Sequence, residues 1–143
     1  MLPPSEPRIA ALLGSYEGFF GRTLCEPEAL FDAPFAVLAH GTEVPPILFY
    51  GNRTALGLWE MDFEAFTRMP SLRTAEPDLR EAREALLEEV ARTGYSRGYR
   101  GVRVSATGKR FEIRQATVWN ILGLDGNRIG QAAMFSEYTW LKC

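Results

Sequence analysis

The sequence predicts an α+β fold: a five-stranded antiparallel sheet with helices packed on one of its faces and an extra helix at the N-terminus. Two apolar runs, residues 35–40 and 47–50, have the length and composition of buried strands. Helical patterns fill the middle of the chain, and residues 99–138 show the alternation of three consecutive strands. Because consecutive strands of this kind pair antiparallel, the intervening helices are expected to cover one face of a single sheet.

The first predicted element is an amphipathic helix over residues 5–20, which Ser5 can cap. Its apolar stripe follows the helical period and consists of Ile9, Leu12, Leu13, Tyr16, Phe19 and Phe20. A stripe this broad has to be buried, either on the sheet of its own chain or across an interface between two chains. A shorter helix over 27–31 follows. Residues 5–33 are therefore interpreted as a helical extension before a core at 34–140, within one compact domain.

Asn52 marks the change from the second strand to the helices. The strand stops at Gly51, and an asparagine at the next position can cap a short helix, because its side-chain oxygen accepts from a backbone N–H of the first turn. Asp62 can cap the next short helix in the same way. Met61 and Phe66 stand around it at the two positions of a hydrophobic staple.

The remainder of the chain predicts one long helix and three strands. The helix covers 77–93, with Pro77 at its first position. The strands cover 99–106, 111–122 and 128–138, and glycine-containing turns join them. Strict alternation along the second of these strands assigns one shared face to Phe111, Ile113, Gln115, Thr117, Trp119 and Ile121.

Composition and charge narrow the range of partners. The 143 residues are 46% hydrophobic and carry a net charge of −2, which gives no whole-chain attraction to nucleic acid or to an anionic membrane. The arginines and lysines over 97–114 are expected to form a solvated sheet face, so nucleic-acid binding is not expected. No apolar run approaches the ~18 residues of a membrane span, and the N-terminus has no signal-peptide pattern. A cytoplasmic location is therefore expected.

Cysteine and histidine are scarce. Cys25 and Cys143 lie far apart and are expected to be unpaired thiols. His40 is the single histidine, so the chain lacks the ligands of a structural zinc site, and no metal site is predicted.

Five runs of the sequence together resemble the MEKHLA family, a PAS-related domain found in small stand-alone bacterial proteins and in plant homeodomain-leucine-zipper regulators. These runs are Leu38–Glu43, Tyr50–Arg53, Gly101–Ser105, Gly108–Phe111 and Ala116–Asn120. The resemblance covers about residues 8–140. It implies a PAS-like core and a regulatory sensor or interaction domain, without a known ligand or enzymatic activity. It also favours a homodimer through the 5–20 helix, since N-terminal helices commonly mediate dimerisation in PAS modules.

PAS domains hold ligands between the sheet and its helices, so the resemblance directs attention to residues on that face. The candidates for a small-molecule pocket are His40, Gln115, Thr117, Trp119, Gln131 and Phe135. An amide and a hydroxyl among aromatic side chains are what a small polar guest requires. The alternative is a filled core in a module that binds a protein partner and no ligand.

Cofactor chemistry is limited by two missing residues. Flavin-binding photosensory PAS domains resemble a pattern with a reactive cysteine, and the corresponding run 66–73 contains none. Haem-binding PAS domains use a histidine on the long helix, and 77–93 has none. Neither covalent flavin nor His-ligated haem is expected, while a non-covalent ligand stays open. No catalytic constellation is recognised, although a small enzyme with His40 as general base is a third reading.

Overall fold

The computed structural model describes residues 2–75 and 80–142, apart from the side chains of residues 80–83. Its helices are α1 Pro7–Phe20, α2 Arg53–Trp59, α3 Phe63–Phe66 and α4 Arg80–Thr93, with 3₁₀ turns at Pro27–Ala29 and Ser71–Thr74. Its strands are β1 Ala36–His40, β2 Leu48–Gly51, β3 Tyr95–Val104, β4 Arg110–Leu122, β5 Arg128–Phe135 and β6 Glu137–Trp140. The predicted start of the long helix at Pro77 lies outside the described residues.

All strands form one antiparallel sheet in the order β2-β1-β5-β4-β3, and β6 pairs with the first part of β4. The predicted α+β class is confirmed, and the sheet has a sixth strand. The predicted last strand, 128–138, is two strands, because β5 follows β4 from Thr117 to Leu122 while β6 follows it from Phe111 to Arg114.

The break between β5 and β6 lies opposite a β-bulge at Gln115. This residue has a φ of 54°, and the β3–β4 register shifts beside it. A bulge adds one residue to one strand, so every side chain beyond it changes face. The predicted shared face of β4 is therefore wrong: Phe111 and Ile113 lie on one side of the sheet, whereas Trp119 and Ile121 lie on the other.

The sheet is covered on both sides, and the two faces have separate cores. The face covered by α1, here called the α1 face, buries Val37, Ala39, Trp119, Ile121 and Ala132. The face covered by α2, α3 and α4, here called the α2–α4 face, buries Ala36, Leu48, Phe111, Ile113, Ala116, Val118 and Phe135.

The apolar stripe of α1 packs on the sheet of its own chain. Leu12 is fully buried and Leu13 nearly so, both in the core of the α1 face. Tyr16 packs edge-on against Trp119, with ring centroids 5.0 Å apart. These are the side chains from which a dimer interface was expected, and the chain's own core occupies them. The homodimer itself stays a prediction.

Asn52 is the N-cap of α2, and its side chain also joins three separate segments. Its Oδ1 accepts from the backbone N–H of Ala55, 3.1 Å away, and from that of Val37, 3.0 Å away. Its Nδ2 donates to the carbonyl oxygens of Leu30 and Phe35, at 3.1 Å and 2.8 Å. The amide is fully buried, so all its hydrogen-bonding capacity is used inside the protein.

Within the described residues, no helix is both long enough and apolar enough to cross a bilayer. The cytoplasmic location stays a prediction.

Candidate functional site

A cavity of about 70 Å³ lies between the α2–α4 face of the sheet and the elements that cover it. Its floor comes from β1, β3, β4 and β5, and its roof from α4 and the Ser71–Thr74 turn. Most of the lining is apolar and includes Leu38, Leu48, Leu86, Ile113, Val118 and Phe135. An apolar chamber with a few polar groups is the usual form of a small-molecule site.

Gln131 brings an unbonded amide to this cavity. The residue is 8% exposed, and it pairs with His40 on the neighbouring strand. No described residue forms a hydrogen bond with the Gln131 side chain. Buried amides in proteins nearly always have a partner, and a water or ligand supplies it when the protein does not. The cavity is where that partner can sit.

Arg103 brings a buried guanidinium to the same cavity. The residue is 8% exposed; its Nη1 donates to the Val102 carbonyl at 3.0 Å and its Nη2 to the Tyr99 hydroxyl at 3.2 Å. The guanidinium also lies 5.3 Å from the centre of the Tyr99 ring. No carboxylate among the described side chains forms an ion pair with it. This positive charge therefore has hydrogen bonds and a π face as partners, but no counter-charge in the described chain.

Gly101 leaves room for this arrangement. A Cβ at this position would stand 2.6 Å from the Tyr99 hydroxyl and 3.1 Å from Nη1 of Arg103. The two side chains therefore fold across the backbone of Gly101, which fixes where the guanidinium lies over the strand.

The other polar groups of the cavity have partners within the chain. Nδ1 of His40 lies 2.8 Å from the Gly41 carbonyl. Because a carbonyl can only accept, the proton of this contact lies on Nδ1. In the roof, the Thr74 hydroxyl donates to the Ser71 carbonyl at 2.8 Å, and the Thr74 carbonyl accepts from the Trp59 indole.

The structure brings together three of the six pocket candidates from the sequence. His40, Gln131 and Phe135 line the cavity. Gln115 is exposed at the bulge, and Thr117 and Trp119 follow it on the α1 face. The bulge is the physical reason, since it reverses the alternation between Ile113 and Trp119.

Sequence reasoning missed Tyr99 and Arg103. Alternation along β3 favours Val102 and Val104 as its buried residues, which leaves Arg103 among the solvated arginines. The usable signal was Gly101, because a glycine inside a strand often marks the close approach of other groups to the backbone.

Two further titratable groups lie away from the cavity, in the core of the α1 face. Burial raises the pKa of the Tyr50 hydroxyl and of the Cys25 thiol, and the Glu26 carboxylate adds to the effect on Cys25. Both side chains are therefore protonated at neutral pH. Within the described residues, no three His, Cys, Asp or Glu side chains are grouped as a metal site.

Solved structures with the same fold are PAS and light-oxygen-voltage domains. The PAS domain of a protein from Colwellia psychrerythraea has a TM-score of 0.67 at 14% identity, over 80% of this chain and 92% of that one. A light-oxygen-voltage domain studied with a flavin analogue has a TM-score of 0.64 at 12% identity, over 81% and 84% of the two chains. An RNA-binding light-oxygen-voltage receptor has a TM-score of 0.60 at 14% identity, over 74% of this chain and 30% of the receptor.

At these identities the structural likeness shows the fold alone. No curated protein matches the chain by sequence. The family model of the MEKHLA domain matches residues 7–140, which is nearly the whole chain and includes both the N-terminal helix and the sheet. The chain therefore belongs to the MEKHLA domain family, whose members are PAS-related sensory domains.

Proposed function

We propose that this MEKHLA domain is a sensor module that holds a small molecule in the cavity of its α2–α4 face. The observation that carries the proposal is the amide of Gln131, which forms no hydrogen bond with a described residue and is 8% exposed in a mostly apolar chamber. A core that served stability alone would favour an apolar side chain at this position, because an unpaired buried amide costs free energy. The proposal assigns no enzymatic activity.

The size of the cavity limits the guest. A cavity of about 70 Å³ is roughly half of the ~150 Å³ that accommodates benzene in an engineered protein core. A flavin ring system is much larger than benzene, so it does not fit this conformation. The proposed ligand is therefore a short molecule of a few heavy atoms, with a polar group for Gln131 and an apolar body.

Helix α4 is the element through which binding would be transmitted. Its last part is fixed to the sheet, since Asn120 donates to the Val90 carbonyl at 3.3 Å and Ser96 donates to Glu89 at 2.9 Å. Leu86 and Leu87, nearer its start, line the cavity. A guest beneath these leucines would act on the earlier turns of α4 while the final turn stays in place.

The proposal can be tested by native mass spectrometry of the freshly purified protein, followed by a thermal-shift screen of small metabolites. A retained mass, or a rise in melting temperature with log concentration, is the expected result. The Ala133→Leu variant fills the cavity from β5 and should abolish the response. Met134→Leu is the matched control, because it changes the next residue on the same strand, which packs towards the α1 face.

The proposal fails if no compound raises the melting temperature of the wild type and no mass is retained. It also fails if Ala133→Leu and Met134→Leu respond to a ligand equally, because the ligand would then bind elsewhere.

A second candidate function is a module that pairs with a second copy of itself. It is supported by an apolar groove between α1 and the β4–β5 turn, where Leu124 is fully exposed and Ile129 is 38% exposed. Added Cβ atoms at Gly14 and Gly18 would meet nothing, so this side of α1 is open to a partner.

Sedimentation at tens of micromolar protein, a concentration that samples moderate affinity, should then show a dimer. Leu124→Lys should give a monomer, whereas Leu72→Lys, at an exposed site elsewhere, should not.

A further inference from the structure

We propose that the cavity binds a small organic anion, whose carboxylate is held by Arg103. This inference rests on the proposed function and names the chemical class of its ligand. Three features of Arg103 support it: its burial, the contacts that it makes, and the contrast with a neighbouring arginine on the same strand.

Arg100 and Arg103 lie on opposite faces of β3. Arg100 points to solvent and forms a two-pronged ion pair with Glu112 of β4, at 3.0 Å from Nε and 3.2 Å from Nη2. Arg103 is buried, and its cross-strand neighbour is Phe111. The exposed arginine thus has a carboxylate from the chain, whereas the buried one has none among the described side chains. A buried charge is normally paired, and a ligand carboxylate in the cavity would supply the partner that the described side chains do not.

Contacts within the chain position the guanidinium to bind such a partner. Nη1 donates one hydrogen bond to the Val102 carbonyl and Nη2 donates one to the Tyr99 hydroxyl. The central carbon of the guanidinium lies 5.3 Å from the centre of the Tyr99 ring. The other N–H donors have no acceptor among the described residues. A guanidinium with N–H donors that no described residue uses can bind a carboxylate, which accepts two hydrogen bonds side by side.

The rest of the cavity favours an organic acid over inorganic phosphate. Its walls are mostly aliphatic and aromatic, and they can cover a short hydrocarbon body. A phosphate would leave most of its oxygens against these apolar walls, at a desolvation cost that they cannot offset. Gln131 offers an additional amide for a second polar group of the ligand. The class is therefore a short monocarboxylate, with or without one hydroxyl or carbonyl group.

The test compares sodium acetate, propionate and butyrate with the corresponding neutral amides and with inorganic phosphate, at constant ionic strength and neutral pH. Thermal unfolding of the full chain is the readout. At least one carboxylate should raise the melting temperature by roughly 5–10 °C at a hundredfold excess over its Kd, while its amide and phosphate do not. Isothermal titration should give the same rank order.

Arg103→Met should abolish this response. Without any ligand it should melt at the same temperature as the wild type or higher, because it removes an uncompensated buried charge. Arg100→Met is the matched control: it removes the same charge from the same strand and should keep the response. Gly101→Ala keeps all charges but displaces the guanidinium, and it should weaken carboxylate binding roughly tenfold or more.

Two results would overturn the inference and leave the proposed function standing: neutral amides that stabilise the protein as strongly as carboxylates, or a carboxylate response that Arg103→Met retains. A third would overturn the inference together with its basis, namely no response to any compound and a marked loss of stability in Arg103→Met, which would make Arg103 a structural residue.

Discussion

The two faces of the sheet are packed in different ways. On the α1 face the buried polar groups have partners: Trp119 donates from Nε1 to the Leu12 carbonyl at 3.0 Å, and Ser15 accepts from the Leu122 N–H at 2.8 Å. Aromatic rings fill the space between them. On the α2–α4 face a cavity remains, where no described residue forms a hydrogen bond with the Gln131 amide and no described carboxylate forms an ion pair with Arg103.

The difference indicates that the α1 face contributes mainly to stability and the α2–α4 face mainly to the candidate site. Complete packing with satisfied hydrogen bonds stabilises a fold, while an unsatisfied polar group beside a void lowers stability and is retained where a site needs it. The packing of α1 stabilises the sheet, so the α2–α4 face can retain polar groups that lower stability.

Trp119→Ala should be the most damaging change, because it empties the centre of the α1 face. The indole is fully buried, contacts Tyr16 and Phe20, and holds a hydrogen bond to α1. A loss of ~3–5 kcal/mol in unfolding free energy is expected by denaturant titration. Trp140→Ala, at a 44% exposed site on β6, should cost much less. Similar losses of unfolding free energy at the two tryptophans would contradict the view that Trp119 is central to the packing of the α1 face.

Asn52→Ala should cost about 3 kcal/mol, well above the ~1 kcal/mol of a helix cap alone. The physical reason is that it leaves the Val37 N–H and two carbonyls without partners in the core. Asp62→Ala is the control, since Asp62 caps α3 at an exposed site through one bond to the Ala65 N–H. Chemical denaturation of both variants would contradict this account if the two losses were equal.

Gln131→Leu should leave the ligand-free protein unchanged or stabilise it by up to about 1 kcal/mol, because it removes an unbonded amide from an apolar chamber. Asn120→Leu is the matched control. Asn120 pairs with Gln131 in register, but its amide donates to Val90 and accepts from Arg128. That variant should lose about 1–3 kcal/mol. If both variants were destabilised alike, Gln131 would have a structural role.

Glu60 provides the smallest and pH-dependent test. Hydrogen bonds from the Thr107 and Ser105 hydroxyls lower the pKa of this carboxyl, and the Lys109 ammonium 3.4 Å away adds to the effect. Because the folded-state pKa lies below the unfolded one, the carboxylate stabilises the fold above the unfolded pKa, and this contribution is lost as the pH falls through the folded pKa.

Glu60→Gln should therefore be slightly less stable than the wild type at neutral pH, and the two should converge in acid. Thermal unfolding across the acid range measures this. A difference that stays constant with pH would show that the charge of Glu60 plays no part.

Local patterns were sufficient for the architecture. The helix capped by Asn52, the short strand before it and the stripe of α1 could be predicted, because each depends on side chains that are neighbours along the chain or one turn apart. The site was predicted less well. His40, Gln131 and Phe135 were assigned to the correct face, since β1 and β5 alternate regularly, while the bulge at Gln115 moved Thr117 and Trp119 to the opposite face.

The fold class, the family and the order of the elements follow from the amino-acid sequence alone. Tertiary structure decided three things: which face each half of β4 presents, what covers the stripe of α1, and which arginine of β3 is buried. All three depend on pairing between distant segments. A shift of one residue in register moves every later side chain to the other face of the sheet, and the composition of the strand does not reveal such a shift. Arg103 and Arg100 look alike in the sequence, and only the pairing with Phe111 or Glu112 distinguishes them.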